Sequence, residues 1–384
     1  MTPELPTSKP VNIIFANKPQ YLKSITFTVI NDLSYDQRMQ RICSSLAGAG
    51  YKVTLVGRKL STSIDLKLQP YNQKRLHCRC EKGKLMYLEF NFRLFIHLLF
   101  NTADCICAID LDTILPCYFA SKLRKKKRTY DAHELFTEQK EIVTRPLIQK
   151  LWLKVEKYAV PKFTFGYTVN DFIAKELNRR YGVSYAVVRN LPKFSNISPA
   201  PNKANPFIIY QGAVNEGRSF ETLIPAMQYV NARLVICGNG NFFEQVQALI
   251  KKNKLEDKVE LRGYVPPEEL RQLTPMASIA VMLFENTGLN QYYSLANRFF
   301  DYIMAGVPQI CVAYPEYKSL NQKYGVAYLI YNTNTDTIAT AINNLLVNDV
   351  LYKNIQQNCI KAREELNWST EEKVLIEVYK NIFS

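Results

Sequence analysis

The chain has 384 residues, 47% hydrophobic and 22% charged, with a formal net charge of +15. That length is too great for one compact core and predicts two α/β domains in a soluble globular protein. The longest apolar stretch, residues 90–100, is half a bilayer span and contains Arg93 and His97, which excludes a membrane crossing.

The charge is unevenly placed. Residues 1–195 hold 32 Lys and Arg against 16 Asp and Glu; residues 196–384 hold 17 against 18. The first half is therefore expected to meet something anionic: an acidic membrane surface, a phosphorylated acceptor or a nucleic acid. The nine cysteines form no CxxC pair. The spacing of Cys78/Cys80 and Cys105/Cys107 suits one face of a strand better than a metal site, and reduced thiols in a cytoplasmic protein are expected. The segment MTPELPTSKP lacks the basic and apolar regions of a signal peptide.

In chain order, VNIIFAN (11–17) and SITFTVIND (24–32) read as strands. Residues 35–50 read as a helix with Met39, Ile42, Cys43 and Leu46 on its apolar face, followed by the strand YKVTLVG. DCICAIDLD (104–112) reads as a buried strand ending in acids, and another strand runs into the DAHE turn at 131–134. GYTVNDFIAKELNRRYG gives a strand edge, a capped turn and a helix, and YAVVRNLP closes the half. Residues 192–206 hold four prolines without periodicity and read as a linker.

A second strand–helix series follows: PFIIYQGAV, a helix through Met227, ARLVICGNG, KVELRGYV, a helix opening on Pro266-Pro267, SIAVMLFE, the helix NRFFDYIMAG, and VPQICVAYP. The end, from Trp368, reads as an amphipathic helix capped by Ser369 or Thr370. Alternating strands and helices imply parallel sheets, whose ligands sit at the carboxyl ends of strands. The expected domains are 1–191, 207–365 and a final helix, 366–384, packed back on the first domain.

Three post-strand turns in the second half suit an anionic ligand. YQGAVNEGR puts a Gly turn and Arg218 before a helix, and ICGNG is a second Gly turn. In the third, a polar loop leads into a helix with Asn297, Arg298 and Asp301, where Asn297 and Asp301 share a face. A carboxylate there suits ribose hydroxyls, and Arg298 suits phosphate.

Together, YQGAVNEGR, ICGNGN, VELRGYVPPEEL and YYSLANRFFDYIMAGVP resemble the nucleotide-binding domain of family 4-like glycosyltransferases of the GT-B fold. NDLSYDQRMQRICSSLAGAGYKVTLVGR, AIDLDT, YDAHELFTE and YTVNDFIAKEL resemble the partner domain, in the expected order. The resemblance implies two Rossmann-like domains facing across a cleft. It implies a nucleotide-diphosphate sugar donor, retaining transfer to a glycan or lipid-linked acceptor, and no obligatory cofactor or metal.

By residue, it puts Arg218 on the diphosphate, Asp301 on the ribose, and Asn297 and Arg298 beside the diphosphate and sugar. Gly212, Gly238 and the segment Arg262, Gly263, Tyr264 would line the nucleotide. His133 would face the donor sugar and bond it or the leaving phosphate. Asp36 and Glu134 are expected on the acceptor side, and Asp110 and Asp112 as acceptor-side or turn residues.

Two departures stand out. The first acid of the family's E-x7-E pair is Tyr293, so Glu285 or Asn290 is expected to supply its contact. Ala213 stands where many relatives have Arg, a loss that Arg298 is expected to offset.

The run KLRKKKR (122–128), with the apolar 90–100 stretch, suggests peripheral contact with an anionic membrane on its inner face. A nucleotide-sugar epimerase or hydrolase on the same fold would need paired catalytic acids in the cleft. A nucleic-acid-binding protein would need aromatics interleaved with the basic run, but Tyr118, Phe119 and Tyr130 only flank it.

Overall fold

The computed structural model describes residues 22–34, 36–201 and 205–384; the strand expected at 11–17 lies outside them. The first half contains β1 (Ser24–Thr28), β2 (Lys52–Lys59), β3 (Asn72–His77), β4 (Cys105–Ile109), β5 (Lys127–Ala132), β6 (Phe165–Thr168) and β7 (Ala186–Val187). They form one parallel sheet in the order β3-β2-β1-β4-β5-β6-β7. The second half contains β8 (Phe207–Gln211), β9 (Arg233–Cys237), β10 (Val259–Gly263), β11 (Ile279–Met282), β12 (Gln309–Val312) and β13 (Ala327–Ile330). Their order, β10-β9-β8-β11-β12-β13, repeats the first sheet, again parallel throughout.

These sequences form these strands for a common reason. β4, β8, β11 and β12 are apolar runs in which every residue is buried, as expected when helices cover both faces. In both sheets the chain reverses its winding at the first strand, between β1 and β4 and between β8 and β11. Such a switch point leaves a crevice at the carboxyl edge. This is the GT-B arrangement of two Rossmann-like domains.

The helix Gln37–Gly48 buries Met39, Ile42, Cys43 and Leu46. Asn170 caps the helix Asp171–Tyr181, and Gly182 closes it at φ 68°. The last helix, Trp368–Phe383, is capped by Asn367, which accepts from Ser369 N, and not by Ser369 or Thr370. Its Trp368, Leu375, Tyr379 and Ile382 complete a core with Ile25, Phe27, Met39 and Leu46 of the first domain. Between the domains, residues 188–201 form no helix or strand, and Arg363 Nη1 holds the Ile197 carbonyl at 2.7 Å.

All nine cysteines are free, and all but Cys80 are buried. Cys78 and Cys80 follow β3 and are not on a strand face; Cys105 and Cys107 are inside β4. No described helix is long and apolar enough to cross a membrane.

Candidate active site

The two carboxyl edges face each other across a cavity of about 820 Å³. The first domain lines it with Asn31, Asp32, Asp36, Gln37, Arg38, His133, Glu134, Val169, Ile173 and Asn190. The second contributes Arg218, Phe284, Asn290, Gln291, Asp301 and residues 294–297.

On the first side, β5 carries Asp131 next to its last residue, fully buried and charged. Arg38 forks onto it, Nη2 to Oδ1 at 2.9 Å and Nε to Oδ2 at 3.4 Å. His133 Nε2 meets Asp131 Oδ2 at 3.0 Å. Asp110, just past β4 in a left-handed turn at φ 51°, accepts from the His133 backbone N–H at 2.8 Å. Its other oxygen lies 3.5 Å from His133 Nδ1.

Both ring nitrogens of His133 therefore face carboxylates. Burial alone would push the imidazole down, but Asp131 and Asp110 outweigh it and raise its pKa to about 9. Burial would likewise raise Asp131, but Arg38 and His133 hold it below its ordinary value. Burial lifts Asp110 to about 7 against the pull of His133.

His133 lines the cavity, but its nitrogens are taken by Asp131 and Asp110. Asp110 and Asp112 do not line the cavity: Asp110 folds back beneath His133, and Asp112 is half-buried, with its Oδ1 buried and unpaired. Burial raises Asp112 to about 6. Asp36 does line the cavity, but its carboxylate caps the helix Gln37–Gly48 by accepting from Met39 N at 3.0 Å.

On the second side, two arginines flank one ring. Arg218 Cζ lies 4.2 Å from the centroid of Phe284, and Arg298 Cζ lies 4.9 Å from it. Arg298 is buried; it donates to Tyr210 Oη at 3.1 Å and Met282 Sδ at 3.1 Å, and its Nη2 has no partner. Arg218 Nε is also buried without a partner. Burial and then Arg298 lower Arg218 to about 10.

Among the described residues, neither arginine has a carboxylate partner. A buried and a half-buried cation thus share one ring without a counter-charge, an arrangement whose chemistry suits an anion. Arg218 lines the cavity, whereas Arg298 sits behind it.

Gly212 leaves room for Arg298: a Cβ there would lie 2.9 Å from Nη1. At Gly238 (φ 153°) a Cβ would lie 1.8 Å from the Gly212 carbonyl oxygen, and Gly238 N donates to the Gly263 carbonyl at 2.6 Å. The three glycines thus lock the ends of β8, β9 and β10 together. None lines the cavity; nor do Arg262, paired with Glu260 at 2.7 Å, and Tyr264, which projects into solvent.

Asp301 lines the cavity and accepts from Gln211 Nε2 at 3.3 Å; burial raises it to about 6 against Arg41. Asn297 accepts from Asn190 Nδ2 at 2.9 Å, from the opposite domain. Asn290 spans the cleft, donating to Glu134 Oε2 at 2.8 Å and accepting from Leu135 N at 3.1 Å. Tyr293 does not line the cavity; it stacks on Phe172 at 5.6 Å, while its carbonyl accepts from Asn170 at 2.7 Å. Glu285, too, is not among the lining residues.

Sequence reasoning missed Arg38, Phe284 and Asn190. Arg38 looks like an ordinary polar helix position, and Phe284 like the end of a strand. Asn190 stands within the quoted VVRNLP stretch, but its role depends on Asn297, 107 positions away.

Residues 193–363 match a family model described as glycosyl transferases group 1. A curated relative, an uncharacterized glycosyltransferase (MJ1607) of Methanocaldococcus jannaschii, is 24% identical over 180 residues. That match spans 45% of this chain and 44% of the relative, so less than half of its length. Sucrose-phosphate synthase from Thermosynechococcus elongatus superimposes with a TM-score of 0.75 at 16% identity, over 94% of this chain and 99% of that one. Anabaena Alr3699/HepE in complex with UDP-glucose gives 0.72 at 11% identity, over 94% and 100%.

Proposed function

We propose that this chain, which carries a glycosyl transferases group 1 domain on a GT-B fold, transfers a sugar from a nucleotide-diphosphate sugar to a glycan or lipid-linked acceptor. The observation that carries the reading is the pair Arg218 and Arg298, one half-buried and one buried cation around Phe284 without a carboxylate partner among the described residues, at the second sheet's switch point. A diphosphate supplies the missing negative charge. Asp301, on the same wall, suits the ribose hydroxyls, and the acceptor enters from the side of His133 and Glu134.

Transfer with retention of configuration fits this constellation. As the glycosidic bond to the diphosphate breaks, charge grows on the leaving oxygen, where Arg218 and Arg298 stabilise it. The departing phosphate takes the acceptor proton as the new bond forms, so no separate strong base is needed. The imidazolium of His133, held by Asp131 and Asp110, adds positive potential to the opposite wall. Since Alr3699/HepE is a complex with UDP-glucose, uridine nucleotides are the first donors to test.

A thermal-shift screen of UDP, GDP, ADP, TDP and CMP nucleotides and their sugars tests the reading. A specific nucleotide at 100 times its Kd is expected to stabilise by about 2.7 kcal/mol. A flat response to all of them overturns the donor site.

A further inference from the structure

Three helices cover one face of the first sheet: Gly83–Leu99, Ile114–Leu123 and Pro146–Ala159. They form one continuous surface, since Tyr87 meets Trp152 at 5.9 Å and Tyr118 meets Tyr158 at 5.8 Å. Each should present a mainly polar outer face, but each exposes large apolar side chains there. Along the first, Leu85, Leu88, Phe92 and Ile96 recur at helical spacing and are 66%, 70%, 64% and 39% exposed, with Phe100 following at 81%. The second adds Phe119 and Leu123, and the third adds Leu147 at 85% and Leu151 at 60%. A contiguous exposed apolar patch of this kind marks an interaction surface.

The exposed charges around the stripe are mostly positive. Lys82, Lys84, Arg93, Lys150, Lys154 and Lys157 are exposed beside it. The three helices carry only two acids. Glu156 is buried, and Glu89 is occupied by the Arg79 and Cys80 amides and by Arg93.

The run 122–128 is largely engaged internally. Arg124 holds the carbonyls of Leu99 and Asn101, Lys127 that of Ile382 and Arg128 that of Lys162, and Lys126 pairs with Asp104 at 3.8 Å. The surface chemistry is therefore an apolar stripe edged with cations, not a free polybasic loop. An apolar centre that sinks below headgroups, with ammonium groups at phosphate level, matches an anionic bilayer.

We infer that the outer face of these three helices docks on an anionic lipid membrane, with Leu85, Leu88, Phe92, Ile96 and Phe100 inserted and the surrounding lysines on phosphate headgroups. The surface stands on its own residues; its purpose, bringing the cleft to a lipid-linked acceptor, rests on the reading above.

Co-sedimentation of the full chain with vesicles tests it. Vesicles with phosphatidylglycerol are expected to bind the chain at low salt, and pure phosphatidylcholine vesicles to bind it far more weakly. The triple change Lys150→Gln, Lys154→Gln, Lys157→Gln should weaken binding roughly 100-fold, at about fivefold (about 1 kcal/mol) per lysine. Leu88→Asp with Phe92→Asp should abolish it; both positions are exposed, so the melting temperature should hold. Nucleotide thermal shifts run in parallel separate this from the donor reading: they should be the same in all variants.

Equal binding to both vesicle types, or full binding by the double Asp variant, overturns the proposal. So does the absence of vesicle binding combined with self-association, or with RNA binding, that the Asp changes abolish.

Discussion

Asn290 of the second domain donates to Glu134 of the first across the cleft, Nδ2 to Oε2 at 2.8 Å. The same amide accepts from Leu135 N, so one side chain fastens the second domain to the DAHE turn by two bonds. Asn297 with Asn190, and Lys140 with Glu216 at 2.7 Å, add further crossings. The structure is thus a closed arrangement of the domains, with the site assembled from both.

Asn290→Ala should loosen that closure. One of its bonds is charge-assisted, and the pair is worth about 1–3 kcal/mol. Small-angle scattering should show a larger radius of gyration, and nucleotide affinity should fall about tenfold. Glu134→Gln should retain most of the affinity, because the amide oxygen still accepts from Asn290. Unchanged scattering and affinity in Asn290→Ala would sink the idea.

Arg218→Ala and Arg298→Met should each weaken nucleoside diphosphate binding by roughly 10- to 100-fold, the scale of one desolvated charge-assisted contact. Binding of the bare nucleoside should change little. Calorimetric titration with both ligands decides: equal losses for diphosphate and nucleoside would mean that the arginines serve the fold and not the phosphates.

His133 gives a pH signature. Its folded pKa is about 9, above the ordinary imidazole value of 6.5. Its charged pairing therefore stabilises fully below pH 6.5 and is lost as pH rises through about 9, a contribution on the order of 3 kcal/mol. The stability gap between the native chain and His133→Asn, measured by urea unfolding, should shrink across that window. A gap constant from pH 6 to 10 would show that the imidazole is not held charged.

Gly238→Ala is expected to destabilise the second domain by roughly 2–4 kcal/mol, combining a strained φ with a backbone clash. The clash is with the carbonyl of Gly212, at 1.8 Å from the added Cβ, and no side chain can move aside to relieve it. A melting temperature within a degree of the native chain's would contradict the close packing of β8 and β9.

Much of the fold can be read from the sequence because its signals are local. The buried runs at β4, β8, β11 and β12 are short and apolar, and the helix Gln37–Gly48 has clean periodicity. The helix Gly83–Leu99 is less legible. It buries Met86, Phe90, Leu94 and Leu98 on one side and exposes Leu85, Leu88, Phe92 and Ile96 on the other, so no polar face marks its period. β3 is hidden for the opposite reason, since Asn72–His77 is an edge strand with no residue buried.

The sequence by itself determined the two repeated α/β domains, the asymmetric charge, and the placing of Arg218, Arg298 and Asp301 in the connections that follow strands, the last two on one helix. These follow from residue type and spacing within one element. The tertiary structure decided which groups remain available. It tied His133 between Asp131 and Asp110, left Asp110 and Asp112 off the cavity wall, turned Tyr293 onto Phe172, and turned Arg124, Lys127 and Arg128 of the 122–128 run onto internal carbonyls. Apart from Asp131, which lies two positions from His133, those outcomes depend on partners tens to hundreds of positions apart, and pairing across such distances is fixed only when the sheets close and the domains meet.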